Sequence, residues 1–227
     1  MSSLAQQPQN GYELIEQMYN ANKANWYKTL CFSQKVIYYK NDSIASTDTW
    51  LEAYQSPGNL ILKFNDWGSG NGLLFTNDSV YSYKEGELQS VRYRIHDLVV
   101  LGLDINNVPP SKTAERIEKC GYNLNLIAED QCMGHNAWVV GDTSGNCFWV
   151  DKETLLFLKM RRKTGEDSRE VEFAKYENIN GYPVATVINF YNKYGKLNMV
   201  EKYFNVIPNR SIPSTIYSPK EFCHAKW

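Results

Sequence analysis

The sequence lacks the long runs and charge blocks that mark several classes of protein. Its 227 residues contain no apolar stretch that approaches the roughly 20 residues needed to span a bilayer. The formal net charge is -1, and lysine and arginine are not clustered. A nucleic acid or an acidic membrane surface would require such clusters. We therefore expect no transmembrane segment and no nucleic-acid partner.

Histidine is scarce, and the five cysteines are irregularly spaced. The three histidines are His96, His135 and His224, and no two cysteines form a CxxC pair. Because metal sites need several such ligands at fixed spacing, we predict no metal and no other cofactor. Cys120 and Cys132 flank one predicted strand. A disulfide between them is one interpretation, and two small buried apolar side chains is the favoured one.

The sequence also lacks the motifs of common enzymes. No Gly-x-Ser-x-Gly elbow and no phosphate-binding Gly-x-x-x-x-Gly-Lys loop is present. A nucleophilic Cys147 would need a base such as His135 within reach, but His135 follows Gly134 in a sequence typical of a turn. The neighbouring carboxylates Glu129 and Asp130 are expected in a solvated loop. We predict that the protein is not an enzyme, with Cys147-based catalysis as the least favoured hypothesis.

The first 11 residues form a polar segment that we interpret as a flexible tail. Ser3 and Ala5 have the small side chains found before a signal-peptidase cleavage site, although no apolar segment precedes them. One interpretation is a mature secreted protein whose signal peptide was removed, with Met1 added for expression. The other is an ordinary disordered polar tail. Residues 12–227 show no long linker and no repeat, so they are expected to form one domain.

What is present is a change of hydrophobic period along the chain. Residues 12–22 have apolar side chains at helical spacing, and from Leu30 onward the period is two. Short strands punctuated by turn sequences follow, as in a meander, sandwich or barrel. Residues 96–105 predict a buried helix, and residues 109–121 predict a second helix that begins at a proline. Strands then resume with residues 123–128 and continue to about residue 206.

Several phrases of the sequence match one family. They include Gly70-Asn71-Gly72 followed by residues 77–81, His96-Asp97-Leu98 followed by residues 101–105, and the stretch from Gly121 to Gly141 that continues to Glu153. Together with Ser218-Pro219-Lys220 in the tail, they make the chain resemble the LolA/LolB-like outer-membrane lipoprotein-sorting proteins from about Tyr12 to Phe222. The resemblance implies an α+β, mainly antiparallel β fold, in which a strongly curved half-barrel sheet encloses a few helices.

The resemblance also implies an apolar cavity on the concave face of that sheet. The alternation of side chains, together with the helical insert at residues 96–121, gives the candidate ligand-binding residues, for which ordinary core packing is the competing interpretation. The family's cargo-retaining arginine has four candidates, Arg92, Arg94, Arg161 and Arg162, and no motif decides among them. The candidate ligand-binding residues are Leu30, Phe32, Val36, Leu60, Leu62, Phe64, Leu98, Leu101, Phe148 and Val150.

The favoured function is a periplasmic or outer-membrane-associated carrier for a lipid, an acyl chain or an acylated lipoprotein. The alternative is a non-enzymatic module of the cell envelope that binds a protein partner through the same fold. In either case the protein is expected to be a monomer. For the carrier, we expect the helical insert to pack against the concave face and to close the cavity as a lid, because exposed apolar surface is unfavourable by roughly 25 cal/mol per Å².

Overall fold

The protein is built on one large antiparallel sheet. The structure, a computed structural model, describes residues 7–163 and 168–227. Within these residues the sheet has thirteen strands. They are β1 (Thr29–Lys40), β2 (Ser43–Gln55), β3 (Asn59–Phe64), β4 (Gly72–Thr76), β5 (Ser79–Lys84), β6 (Glu87–Tyr93), β7 (Ile127–Cys132), β8 (His135–Gly141), β9 (Cys147–Asp151), β10 (Phe157–Arg162), β11 (Arg169–Ile179), β12 (Tyr182–Tyr191) and β13 (Leu197–Pro208).

The strand order joins two meanders at the middle of the sheet. Strands β1 to β6 run outward to one edge, strands β13 to β7 run outward to the other, and β1 pairs with β13 between them. Tight turns separate most neighbours. For example, Asn41 and Asp42 both adopt positive φ in the turn between β1 and β2. Since β6 and β7 do not pair with each other, the sheet remains open, which confirms the predicted half-barrel class.

In the part of the chain that the structure describes, three α-helices accompany the sheet. They are α1 (Gly11–Asn22), α2 (Asp97–Gly102) and α3 (Pro110–Lys119). The side chain of Asn10 caps α1 by accepting a hydrogen bond from the backbone N–H of Glu13. Pro110 occupies the first turn of α3, as predicted. Helices α2 and α3 follow each other along the chain and connect β6, at one edge of the sheet, to β7, at the other.

The single helix predicted over residues 96–105 is wrong in one respect. Helix α2 ends at Gly102, and a separate 3₁₀ turn covers Asp104–Asn106. The reason is the side chain of Asp104, which accepts hydrogen bonds from the Tyr54 hydroxyl at 2.7 Å and the Ser56 hydroxyl at 3.1 Å. These contacts tie the turn to the end of β2, and no local sequence pattern predicts them.

The helices lie on one side of the sheet, which we call the concave face. Leu14 of α1 and Val100 of α2 belong to one core cluster with Phe148 and Val150 of β9. The prediction that the helical insert packs against this face is therefore confirmed. Whether the insert opens as a lid stays a prediction.

The opposite face of the sheet, here called the convex face, is covered over β3, β4 and β5 by the C-terminal segment, residues 212–227. Phe222 of this segment stacks on Tyr83 of β5, with ring centroids 3.8 Å apart. Ile61 of β3 and Leu74 of β4 are fully buried in the same cluster. Adjacent residues of β3 thus face two different buried environments, because side chains alternate across a strand.

Two predictions for this part of the chain are wrong. Glu129 and Asp130 do not lie in a loop, and the strand does not cover residues 123–128. Both carboxylates lie within the edge strand β7, which runs from Ile127 to Cys132 and pairs with β8. They are exposed because they stand on an edge strand, where charged side chains discourage pairing with another chain. Asp130 accepts a hydrogen bond from the Trp149 indole N–H at 2.8 Å.

Candidate functional site

A cavity lies between the concave face and helix α2. Its volume is about 230 Å³. Side chains from strands β1 to β4 and β11 to β13 form its floor and walls, and α2 with the residues before it forms its cover. The side chains that line it are mostly apolar, and they include Tyr27, Leu30, Phe32, Trp50, Leu60, Leu62, Leu73, Phe75, Leu98, Val99, Leu103, Phe173, Tyr176, Val184, Ile188 and Phe190.

Close packing of α2 on the sheet makes the cover possible. A Cβ atom at Gly102 would lie 2.5 Å from the ring of Phe173 on β11, which is too close for any side chain. Glycine therefore lets the end of α2 reach the sheet. Leu98 and Val99, one turn earlier, then face the cavity.

The structure brings half of the predicted ligand-binding residues to the cavity. Those that line it are Leu30, Phe32, Leu60, Leu62 and Leu98. Their alternation along β1 and β3 is the pattern that predicted them. Their role in binding a ligand stays a prediction.

The other half do not line the cavity. Leu101, Phe148 and Val150 are buried in the core cluster that includes helix α1. Phe64 packs on the cavity residue Trp50, with ring centroids 4.7 Å apart. Val36 is buried on β1. Phe148 and Val150 therefore face the part of the concave side that the helices fill, and the ring of Phe64 packs beside the cavity.

Two buried carboxylates in the cavity wall were missed by the sequence analysis. Glu52 of β2 is 5% exposed and Glu201 of β13 is 9% exposed. The pairing of the strands would have identified them. Glu52 stands opposite Phe32 and Glu201 stands opposite Val36, and residues opposite each other point to the same face, here the concave one. Burial raises the pKa of Glu201 to about 8. Burial, and then the charge of Glu201, raises the pKa of Glu52 well above its usual range.

A second polar group lies where α2 begins. The carboxylate of Asp97 binds Arg169 at 3.0 Å and Arg162 at 3.1 Å. His96 accepts a hydrogen bond from the N–H of Val99 and caps the helix. Burial lowers the pKa of His96 to about 4, so its imidazole is neutral near pH 7. Of the four arginines considered from the sequence, Arg94 lines the cavity, and so does Arg169, which was not considered.

The remaining candidates for chemistry are separated in space. Cys147 is buried among convex-face residues, where burial raises the pKa of its thiol to about 11. His135 instead pairs with Asp151 at 2.7 Å. All five cysteines are free, so Cys120 and Cys132 do not form a disulfide. No group of three or more metal-ligating side chains occurs in residues 7–163 and 168–227.

Comparison with solved structures now identifies the fold. A putative outer membrane lipoprotein-sorting protein domain from Vibrio parahaemolyticus matches with a TM-score of 0.65 and 15% identity, over 94% of this chain and 98% of that one. A LolA superfamily protein from Nitrosomonas europaea matches with a TM-score of 0.60 and 13% identity, over 91% and 98% of the two chains. This chain has a LolA-like fold.

A third structure supports the same LolA-like fold. It is a DUF1329 family protein from Desulfovibrio piger, which matches with a TM-score of 0.63 and 15% identity, over 92% of this chain and 96% of that one. No protein-family model matches the chain. No curated protein matches it either. At these identities the likeness establishes the fold, and the function has to be argued from the cavity.

Proposed function

We propose that this LolA-like protein is a carrier that holds a lipid or the acyl chain of a lipoprotein in its concave cavity. It acts as a monomeric, non-enzymatic binding protein of the cell envelope, in the periplasm or at the outer membrane. In the described part of the chain no helix is long and apolar enough to cross a membrane. The proposal is carried by one observation, the covered apolar cavity between α2 and the sheet.

The size of the cavity sets how cargo enters. Its volume of about 230 Å³ is below the roughly 300–1,000 Å³ typical of pockets for drug-sized ligands. It therefore admits one short chain as it stands. A lipid with several chains requires α2 to move away from the sheet. We take Gly102, Gly121 and the linker at residues 106–110 as the hinge points of this movement, in which the insert acts as the lid expected from the sequence.

Native mass spectrometry of protein purified from its own host tests the proposal. We expect a population whose mass exceeds that of the chain by the mass of a lipid or acyl chain. Leu98→Trp should abolish this population, because Leu98 is half-buried and lines the cavity. Leu126→Trp is the matched control, since Leu126 is exposed and does not line the cavity. Equal loads on both variants would contradict binding in this cavity.

A second function, binding of a protein partner, is favoured by the edge strand β6. Leu88, Val91 and Tyr93 on this strand are exposed, Tyr93 by 72%. An unpaired edge with apolar side chains can accept a strand of another chain. Isolation of the protein from envelope extracts distinguishes the two functions. A protein partner that is lost on Val91→Lys, with no co-purified lipid, would favour the interaction module over the carrier.

A further inference from the structure

We propose that the cavity selects amphiphiles whose polar end is a protonated amine, with the ammonium group held by Glu52 and Glu201. This inference rests on the proposed function and names the chemical class of its ligand. It is carried by three observations: two acidic side chains in the wall of an apolar cavity, an unpartnered amide beside them, and the pairing of Arg169 elsewhere.

The two carboxylates are buried without a cation. In the described part of the chain neither Glu52 nor Glu201 takes part in a salt bridge, although both line the cavity. The charge of Glu201 raises the pKa of Glu52, in addition to the effect of burial. Tyr203 stacks on Phe32 with ring centroids 4.2 Å apart. Burial, and then the charges of Glu201 and Glu52, raise the pKa of its hydroxyl group. A buried acidic pair of this kind stays protonated unless a positive partner arrives.

The side chain of Gln34 adds an independent sign of a missing ligand. It is completely buried, and neither its Nε2 nor its Oε1 atom makes a hydrogen bond of ordinary geometry, although the side chain lies close enough to Glu201 to lower the pKa of that carboxyl group. Its residue stands opposite Tyr203 of β13 on one side and Trp50 of β2 on the other, and both of these line the cavity. Unsatisfied buried polar atoms are rare in folded proteins and call for a partner. An ammonium group donates hydrogen bonds, which the Oε1 atom of Gln34 can accept.

The arginines in the cavity wall favour an anionic ligand less than the two glutamates favour an ammonium group. Arg169 is held by both carboxylate oxygens of Asp97, at 3.0 and 3.2 Å. Asp97 offsets the charge of Arg169, so an anion gains little from the buried Arg169 donor without a partner, its Nε atom. Arg94, the other arginine of the wall, is exposed, and solvent screens its charge. An ammonium, by contrast, has no cation to displace from Glu52 and Glu201. The apolar lining around the acidic pair accommodates the hydrocarbon part of the same ligand.

Binding must involve release of a proton. Because burial raises the pKa of Glu201 to about 8, its carboxyl group holds a proton at neutral pH in the empty site. When the ammonium enters with its charge, a carboxyl O–H gives its proton to the solvent and the resulting carboxylate pairs with the ammonium. The other titratable and charged groups of the cavity wall belong to several elements, namely Tyr27, Arg94, His96, Arg169, Tyr176 and Tyr203.

Calorimetric titration with three ligands of equal chain length tests the inference. The ligands are decylammonium, decanol and decanoate, each below its aggregation concentration. Charge-assisted hydrogen bonds contribute enough that we expect decylammonium to bind about tenfold or more tightly than decanol. Titrations in two buffers of different ionisation enthalpy should show proton release with decylammonium and none with decanol. Tighter binding of decanoate than of decylammonium would overturn the inference.

The variant Glu52→Gln/Glu201→Gln gives the second arm. It should bind decylammonium and decanol within about threefold of each other, because no carboxylate remains to pair with the ammonium. Glu87→Gln, which removes an exposed carboxylate of β6, should keep the wild-type preference. If decanol binds and the wild type shows no preference for decylammonium, only this inference fails. If none of the three ligands binds, the carrier function fails with it.

Discussion

Strands β3 and β4 are buried on both faces of the sheet, but the two faces are filled in different ways. On the convex face the C-terminal segment covers Ile61 and Leu74, and Phe222 stacks directly on Tyr83. On the concave face α2 covers Leu62 and leaves a cavity of about 230 Å³. The C-terminal segment fills the face that it covers, whereas the short helix α2 leaves space between itself and the sheet.

Buried charge follows the same division. Lys63 on the convex side lies over the Phe222 ring, with its Nζ atom 4.1 Å from the ring centroid and without a hydrogen-bond partner. Burial lowers the pKa of this lysine. The chain therefore supplies its own aromatic partner for the buried charge on the convex face. For Glu52 and Glu201 on the concave face it supplies no cation, within the residues that the structure describes.

The largest effect is expected where the cover of the concave face meets the core. Leu101 is completely buried beside α1, so Leu101→Asp places an unpaired carboxylate in an apolar environment and should destabilise the protein by more than about 4 kcal/mol. Leu98→Asp should have a smaller effect and should raise the binding of an apolar dye, because Leu98 faces the cavity. Urea unfolding and dye fluorescence measure the two effects. Equal destabilisation by both variants would contradict the placement of Leu101 in the core and of Leu98 at the cavity.

Removing the cover of the convex face should have the next largest effect. Phe222→Ala should lower the free energy of unfolding by about 3–5 kcal/mol, because the ring is fully buried between Tyr83 and Lys63. The affinity for an apolar ligand should remain that of the wild type after correction for the unfolded fraction. A loss of affinity in the folded variant would show that the two faces are coupled.

Truncations at neighbouring positions of β3 compare the faces directly. Ile61→Ala and Leu62→Ala should each lower the free energy of unfolding by about 2–5 kcal/mol. Ile61→Ala should be the more destabilising by about 1 kcal/mol, because it opens a new hole in a filled face. Leu62→Ala only enlarges the existing cavity, and it should improve the binding of longer chains. The reverse order of stabilities would contradict the difference in filling.

The smallest effect concerns pH. Glu201 has a pKa of about 8 when folded and about 4.3 when unfolded. Between these values the folded protein binds the extra proton, so stability falls as the pH rises. From about pH 7 to pH 8 we expect Glu201 to cause a loss of about 1 kcal/mol. His96 changes this little, because its folded imidazole is neutral and its unfolded imidazole, with a pKa of about 6.5, is already mostly neutral at pH 7. Glu201→Gln should flatten this dependence in urea unfolding at the two pH values. A wild-type stability that rises across this interval would contradict the buried carboxyl.

The sequence predicts the fold well because the repeated turns and alternating strands are local features. It places Leu30, Phe32 and Leu62 on the cavity side, since alternation alone determines the face of a strand. It does not separate them from Phe148 and Val150, because only the position of the helices decides which part of that face is filled. Glu52 and Glu201 were missed because a charged residue in an alternating strand is ordinarily assigned to the solvent side.

Methyl NMR with a bound apolar ligand tests most directly that the concave face alone receives the ligand. Leucine, valine and isoleucine methyl groups occur on both faces, so one labelled sample reports on both. We predict contacts between decylammonium and the methyl groups of Leu60, Leu62 and Val99, with none to those of Ile61, Leu74 and Ile216. Ligand contacts to Ile61 or Ile216, with Leu62 and Val99 unaffected, would contradict the account.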